Sequence, residues 1–289
     1  MAQAPPGRPP LPAAARRLLD RRRGAEFPVQ RGRLMKPVFI PKVSNVMAWL
    51  GAFNALKNRG ASESCLMLVD GEPGLGKTGT AVWWGVQNQA IHVRAKQGWT
   101  HSWCLRDMYA AATGRPSQTR DTAKLFEAVV AALTARQAQA ARLGHATTVI
   151  LIDEADHAVA AGRDVVEGIR DITDHLEIPT VLVGMDRIRK RLDRYPQVAS
   201  RISQKVEFKP LSLDDVRSVI SGISEVEVKD DLVAYTHRAS GGYIRELKEA
   251  VAAIERFGLR QAGAPVGVEA MRGQVLLHSR DTGAPVVVA

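Results

Sequence analysis

The sequence predicts an α/β fold in which helices flank a parallel β-sheet and a small C-terminal helical lid follows. Three observations predict it. An apolar segment, residues 65–69, leads into a glycine-rich loop and then into helix-compatible sequence. A second apolar segment, residues 148–152, ends in two acidic residues. Beyond Pro210 the pattern changes to amphipathic helices alone. Strands that alternate with helices are typical of parallel sheets, because each crossover between parallel strands needs a helix-length connection.

The glycine-rich loop reads GEPGLGKT from Gly71 to Thr78. Between a strand and a helix, such a loop is a P-loop, which binds phosphates on backbone N–H groups at a helix N-terminus. We expect Lys77 to reach the β- and γ-phosphates of ATP and the Thr78 hydroxyl to bind Mg²⁺. The predicted nucleotide-binding residues of the loop are Gly71, Glu72, Pro73, Gly74, Leu75, Gly76, Lys77, Thr78 and Gly79.

The second apolar segment delivers Asp153 and Glu154 at its carboxyl end. Ligands bind at this edge of parallel sheets. We expect Asp153 to hold Mg²⁺ through water and Glu154 to act as the general base toward an attacking water. An apolar segment followed by Asp-Glu is a weak signal alone, but downstream of a P-loop it becomes a strong one.

Composition narrows the class of protein. A chain of 289 residues with 45% hydrophobic content can hold one large or two modest domains. No apolar run approaches the roughly 18 residues of a membrane span, and the N-terminus has no apolar signal core, which predicts a cytoplasmic protein with no membrane partner. Cys65 and Cys104 are too few for a disulfide framework or a cysteine metal site, so we expect both to be reduced packing residues.

The net charge of +10 is unevenly distributed. Residues 1–40 hold nine basic and two acidic residues, so they carry most of it. Residues 1–36 are rich in proline and arginine, which predicts a disordered basic arm that either contacts DNA or a partner or is simply solvated. Residues 94–124 form a local basic segment, with six basic and two acidic residues. The candidate DNA-binding residues in it are Arg94, Lys96, Trp99 and Arg120, although Trp99 equally suits core packing.

The remaining pattern sets the predicted boundaries. After the arm, we expect a nucleotide-binding α/β domain over residues 37–209, a helical lid over 210–260 and a tail over 261–289. A helix is predicted within residues 38–58, and further strands at 90–94, 179–184 and 205–208. Ser212 and Asp215 form a capping-box pattern that opens the lid. In the tail we predict one short helix near residues 268–277.

Together these motifs resemble those of the AAA+ ATPases over roughly residues 45–257. Within that class, the blocks HVRA from His92, ILIDEAD from Ile150 and GGYIR from Gly241 are similar to the phage Mu B transposition protein and related transposon target-selection ATPases. The resemblance implies an ATP- and Mg²⁺-dependent ATPase, stimulated by DNA and by oligomer formation. It further implies non-specific binding to duplex DNA, a homo-oligomer in the form of a helical filament or ring, and delivery of target DNA to a transposase.

The resemblance also assigns roles to individual residues. By position, Asp186 matches the sensor-one site, where the family usually has Asn, Ser or Thr. Arg201 matches the arginine finger that completes a neighbouring subunit's site, with Arg194 as the alternative. Arg245 matches the lid arginine that touches the γ-phosphate. The helix-turn-helix appendage of the Mu protein has no counterpart in residues 1–40, which are too short and too rich in proline.

Two other functions fit the same motifs. One is a loader or remodeller that acts on a protein partner, such as a replicative helicase or a secretion component. The other is a nucleotide switch that binds ATP with little turnover. The arginines between Arg187 and Arg201 are either a solvated surface or a subunit edge that offers charge to a neighbour's phosphate.

Overall fold

A computed structural model of the chain describes residues 35–36, 38–142, 148–261 and 264–289. The predicted basic arm, residues 1–36, lies outside these ranges except for Met35 and Lys36. Within the described ranges, no helix is both long enough and apolar enough to cross a membrane. Cys65 and Cys104 are free and buried, as predicted, and burial raises the pKa of the Cys104 thiol to about 12.

Five parallel strands form the central sheet, in the spatial order β2-β3-β4-β1-β5. The strands are β1 (Leu66–Gly71), β2 (Ile91–Arg94), β3 (Ile150–Asp153), β4 (Thr180–Val183) and β5 (Ile202–Phe208). Every residue of β1, β3 and β4 is buried, as expected of central strands with helices on both faces. This confirms the predicted parallel sheet. Because β4 separates β1 from β3, the glycine-rich loop and the acidic pair leave the same sheet edge one strand apart.

Helices cover both faces of the sheet. They are α1 (Ser44–Lys57), α2 (Lys77–Gln87), α3 (His101–Thr113), α4 (Thr122–Arg142), α5 (Ala155–Ala161), α6 (Arg163–Leu176), α7 (Ile188–Leu192) and α8 (Pro196–Ala199). On one face, Trp49 of α1 and Trp84 of α2 pack with Phe208 of β5. On the other face, α3, α4 and α6 supply the apolar side chains. The helix at the glycine-rich loop is therefore anchored in the core on its inner side.

The predicted lid is helical, and the tail that follows it is not what we predicted. The lid contains α9 (Leu213–Ile223), α10 (Asp230–Ser240) and α11 (Ile244–Gly258), and the tail contains α12 (Val268–Met271), β6 (Val275–His278) and β7 (Pro285–Val287). The tail helix predicted near 268–277 was wrong beyond Met271, because the chain turns at Gly273 and pairs β6 with β7 in an antiparallel hairpin. Leu276, Leu277 and Val288 are buried against the lid, so the hairpin is firmly attached to it.

Asp215 joins the lid to the first helix. Its carboxylate completes the predicted capping box with Ser212 and also accepts two hydrogen bonds from Ser44, from the backbone N–H at 2.8 Å and from the hydroxyl at 2.6 Å. Burial alone would raise the pKa of Asp215, but the hydrogen bonds from Ser44 and Ser212 lower it overall. The charged carboxylate therefore stabilises the fold.

We expect Asp215→Asn to lower the free energy of unfolding by about 1–3 kcal/mol near neutral pH, because a neutral amide replaces a buried carboxylate acceptor. A carboxylate with a lowered folded pKa stabilises above its ordinary pKa, and that contribution is lost as the pH falls through the folded value. Urea unfolding curves of parent and variant should therefore converge in acid. Asp214→Asn is the matched control, because the Asp214 side chain is 90% exposed and pairs with Arg217. A variant equal to the parent at neutral pH would contradict the prediction.

Candidate nucleotide-binding site

The glycine-rich loop has the backbone shape that its glycines allow. Gly71 has φ +139°, and a Cβ there would lie 2.5 Å from the Phe208 carbonyl oxygen. Because β5 packs this closely against it, only glycine fits at residue 71. Gly76 has φ +93° and caps the N-terminus of α2. The loop from Pro73 to Gly79 lines a cavity of about 500 Å³, whereas Gly71 and Glu72 lie outside that lining.

Lys77 is the first residue of α2, directly after the glycine-rich loop. Its ammonium donates to the carbonyl oxygens of Gly71 at 2.6 Å and Glu72 at 2.7 Å. Burial lowers the pKa of Lys77, while nearby carboxylates, Asp156 foremost, oppose that shift. A phosphate in the cavity would supply the anionic partner that a partly buried ammonium needs.

Thr78 and Asp153 lie close together at the sheet edge. The Thr78 hydroxyl lies 3.5 Å from Asp153 Oδ1, which also accepts the Glu154 N–H at 2.9 Å. Asp153 Oδ2 is buried and has no hydrogen-bond partner within the described ranges. An orphaned carboxylate oxygen beside a hydroxyl fits the oxygen ligands that Mg²⁺ prefers. Bound there, Mg²⁺ would neutralise phosphate charge. No group of three or more His, Cys, Asp or Glu in the described residues could hold a metal, so water and phosphate oxygens would complete its ligands.

Glu154 lines the cavity from the turn between β3 and α5. Its backbone is left-handed, with φ +54°, which is uncommon for a residue with a side chain. Arg94, at the end of the neighbouring strand β2, places a guanidinium nitrogen 3.2 Å from Glu154 Oε1. The arginine is 67% exposed and the glutamate 28%. The predicted base is thus held by a cation that itself reaches solvent.

Part of the cavity wall is apolar and was not predicted. It is formed by Val38, Phe39, Ile40, Val43, Val219 and Ile223. Phe39 stacks on Trp83 of α2, with ring centroids 4.5 Å apart. A flat apolar ring fits this wall. A run of hydrophobic residues before α1 is the sequence signal that could have indicated it.

The lid residue Arg245 lies at the cavity, but Asp186 does not. Arg245 lines the cavity, and its backbone N–H donates to the Gly74 carbonyl at 3.3 Å. Asp186 is exposed and absent from the lining, so the structure does not place it at the cavity with Arg245. Gly184 and Met185 line the cavity instead, because Asp156 accepts the Met185 N–H and draws the chain after β4 inward.

Arg201 lies at the other end of the sheet from the loop. Its carbonyl accepts the N–H of Leu66, the first residue of β1, whereas the glycine-rich loop begins at the last. Its guanidinium pairs with Asp174 at 2.8 Å and is one-third exposed. Of the other arginines between 187 and 201, Arg189 pairs with buried Asp70, whereas Arg194 is exposed. Arg201 cannot therefore reach the cavity of its own subunit.

The four candidate DNA-binding residues are not equivalent. Trp99 is 2% exposed and its indole N–H donates to Asp107 at 2.9 Å, so it packs in the core and the DNA contact predicted for it is wrong. Lys96 pairs with the same carboxylate at 2.8 Å but stays half exposed. Arg94 and Arg120 are exposed. Arg94, Lys96 and Arg120 are therefore accessible for contact with DNA phosphates.

The glycine-rich loop lies in a part of the chain that is similar to known proteins. Residues 61–192, less than half of the chain, match the family model for AAA domains. A "Potential ATP-binding protein" of Staphylococcus aureus is 35% identical over 71 residues. That match covers 25% of this chain and 25% of the relative, so this chain spans only a quarter of the relative's length.

Solved structures match over much more of the chain. The Cdc6p structure of Pyrobaculum aerophilum covers 82% of this chain and 68% of its own, with a TM-score of 0.60 and 14% identity. The fold is that of the AAA+ ATPases. Aeropyrum pernix ORC1, solved in complex with DNA, covers 81% of this chain and 65% of its own, with TM-score 0.55 and 18% identity. The Thermotoga maritima RuvB Holliday junction branch migration motor covers 79% and 67%, with TM-score 0.50 and 17% identity.

Proposed function

We propose that this protein binds and hydrolyses ATP with Mg²⁺ and uses the nucleotide to control non-specific binding to duplex DNA. The observation that carries the ATPase part is the convergence of Lys77, Thr78, Asp153 and Glu154 on one cavity whose lining is partly apolar. A cavity of about 500 Å³ suits a nucleotide, since small-molecule sites typically occupy about 300–1,000 Å³. The AAA domain match over residues 61–192 supports the same reaction.

In the proposed reaction each residue acts on phosphates or water. The N–H groups of the loop bind phosphate oxygens, and Lys77 moves from its carbonyl partners to the β- and γ-phosphates. Thr78 and Asp153 would hold Mg²⁺, which would neutralise phosphate charge. Glu154 accepts a proton as water attacks the γ-phosphorus, and the bond from that phosphorus to the β–γ bridging oxygen breaks, which yields ADP and inorganic phosphate. The Arg245 side chain contacts the γ-phosphate from the lid.

Duplex DNA is the partner that we propose on the basis of charge and of the fold. Arg94, Lys96 and Arg120 belong to the basic segment of residues 94–124, and the structure of the ORC1 relative was solved with DNA. Contacts between such cations and phosphates give sequence-tolerant, salt-sensitive binding. In an oligomer, many weak contacts of this kind would sum along a duplex.

The Arg94–Glu154 ion pair links these two activities. A DNA phosphate that attracts Arg94 would release Glu154 to act on water, so duplex DNA should stimulate ATP hydrolysis. We expect Arg94→Ala to raise DNA-independent hydrolysis severalfold and to abolish its stimulation by DNA. Arg163→Ala is the matched control, because its partner Glu167 lies at 3.6 Å with exposures of 71% and 28%, close to those of the Arg94 pair. Unchanged stimulation in Arg94→Ala would contradict this link.

We further propose that the protein selects target DNA for a transposase as a homo-oligomeric filament or ring. This proposal rests on the sequence resemblance to the Mu B class in residues 92–95, 150–156 and 241–245. The test is binding of labelled duplex DNA at low salt with ATP, ADP or no nucleotide, followed by imaging of the complexes with a slowly hydrolysed ATP analogue. ATP-dependent binding and a regular oligomer on DNA are expected. Absence of both would overturn the DNA proposal.

A protein-directed loader or remodeller is the second candidate, because the AAA+ fold supports both uses. Hydrolysis that responds to a candidate protein partner but not to duplex DNA would favour it. A salt titration separates the two further, since stimulation through DNA phosphates must weaken steeply with salt.

A further inference from the structure

The C-terminal hairpin reaches the glycine-rich loop through one side chain. Arg280, in the turn between β6 and β7, donates from Nη1 to the Pro73 carbonyl oxygen at 2.7 Å. Its guanidinium lies 4.1 Å from the centre of the Tyr243 ring, and Nη2 lies 3.7 Å from Glu72 Oε2. Tyr243 in turn donates its hydroxyl to Glu72. Three side chains from the loop, the lid and the tail thus form one cluster.

The bond to Pro73 has a consequence for the phosphate site. The chain has no cis peptide bond in the described ranges, so the Pro73 carbonyl and the Gly74 N–H point in opposite directions. Arg280 holds that carbonyl and does not line the cavity, so the Gly74 N–H points away from Arg280. The Arg245 backbone N–H binds the Gly74 carbonyl and thereby also fixes the next peptide, Gly74–Leu75.

The glycine between these two peptides makes such restraint necessary. Gly74 has φ +92°, and a glycine can rotate its flanking peptides at little cost. A Cβ built on it would lie 3.1 Å from Arg280 Nη1 and 3.6 Å from Glu246 Oε2, so both side chains close over the loop at this residue. Glu246 Oε2 is buried without a hydrogen-bond partner among the described residues. The positive charge of Arg280 and the carboxylate of Glu246 thus lie on the same residue of the loop, Gly74.

We propose that Arg280 is a positioning residue of the phosphate-binding loop, which makes the affinity for a triphosphate depend on the C-terminal hairpin. The inference rests on the proposed nucleotide binding. Arg280 holds the Pro73–Gly74 peptide with its N–H toward the phosphates and stacks on Tyr243, so the lid, the tail and the loop move together. Without Arg280, the Pro73–Gly74 peptide could rotate. Phosphate binding would then be weaker, because it would have to order this peptide at a cost in conformational entropy.

The test compares Arg280→Ala with Arg272→Ala in the full chain. Arg272 belongs to the same tail but pairs with exposed Glu269 at 3.5 Å. The probes are a slowly hydrolysed ATP analogue and adenosine, which lacks phosphates. We expect Arg280→Ala to weaken binding of the analogue about tenfold, the loss of one charge-assisted hydrogen bond, and to leave adenosine binding unchanged. Arg272→Ala should match the parent with both probes.

Each other outcome overturns a specific statement. A parent protein that binds no ATP analogue refutes the proposed function, whereas a parent that binds and an Arg280→Ala variant that binds equally refute the positioning role alone. Parallel loss of adenosine and analogue binding would assign Arg280 to folding and also refute it. The nucleotide-free melting temperature of Arg280→Ala should stay near that of the parent, because Leu276, Leu277 and Val288 anchor the hairpin. If alanine does unfold the chain, Arg280→Met replaces it. Methionine keeps an extended apolar side chain but donates no hydrogen bond, so an affinity for the analogue equal to that of the parent would refute the role.

Discussion

Glu154→Gln should slow the hydrolysis of bound ATP by about 10³-fold and leave ATP binding intact, since general-base catalysis typically contributes about 10²–10⁴-fold. Glutamine has the shape of glutamate, so the left-handed turn at this position is retained, but its amide cannot accept the proton of water. The phosphates remain bound by the loop and by Lys77, which Glu154 does not contact through a hydrogen bond.

Single-turnover hydrolysis of labelled ATP and equilibrium binding of a fluorescent ATP analogue measure the two effects separately. Glu167→Gln is the matched control, because Glu167 also pairs with an arginine but lies on α6, away from the cavity lining. Hydrolysis by Glu154→Gln within a few-fold of the parent would show that Glu154 is not the base. It would favour the alternative of a nucleotide switch with little turnover.

The site residues that the sequence predicts correctly are those whose position is set by the strand or helix next to them in the chain. The glycines, Lys77 and Thr78 lie between one strand and one helix, and Asp153 follows a strand whose β-branched residues predict burial. Local geometry is enough to place such residues, because parallel strands deliver their carboxyl ends to one edge. The same reasoning predicts the capping box at Ser212 and Asp215, which the structure confirms.

The part that the sequence does not predict depends on contacts between distant segments. Arg280 donates to a carbonyl 207 positions earlier in the chain, and Phe39 stacks on Trp83 of α2. No local sequence pattern indicates either contact. The sequence leaves Trp99 open between DNA contact and core packing for the same reason. Its basic surroundings suggest a surface loop, but the side chain is buried in the core and its indole N–H donates to Asp107 of α3.

Arg201→Ala should reduce ATP turnover by assembled protein by about 10³-fold or more, while each subunit still binds ATP. The expected effect is large because an arginine finger stabilises the charge that develops on the transferred phosphoryl group. Arg201 is hydrogen-bonded to Leu66 at the start of β1, and the glycine-rich loop begins at Gly71 at its end. These two ends of the strand are about 16 Å apart at the usual rise per residue. A long side chain cannot span that distance, so we propose that the arginine acts on an adjacent subunit. Asp174→Asn is the control, because it removes the partner of Arg201 but keeps the arginine, and it should retain turnover.

Mixing two inactive variants gives the decisive measurement. Arg201→Ala subunits keep Glu154, and Glu154→Gln subunits keep Arg201, so a site at a mixed interface can hold one intact copy of each residue. Hydrolysis should therefore reappear when the two proteins are combined, with a maximum near equal amounts. An arginine that acted within its own subunit, or that only stabilised the fold through Asp174, would give no recovery on mixing. Recovery with Arg194→Ala in place of Arg201→Ala, and none with Arg201→Ala, would instead identify Arg194 as the finger.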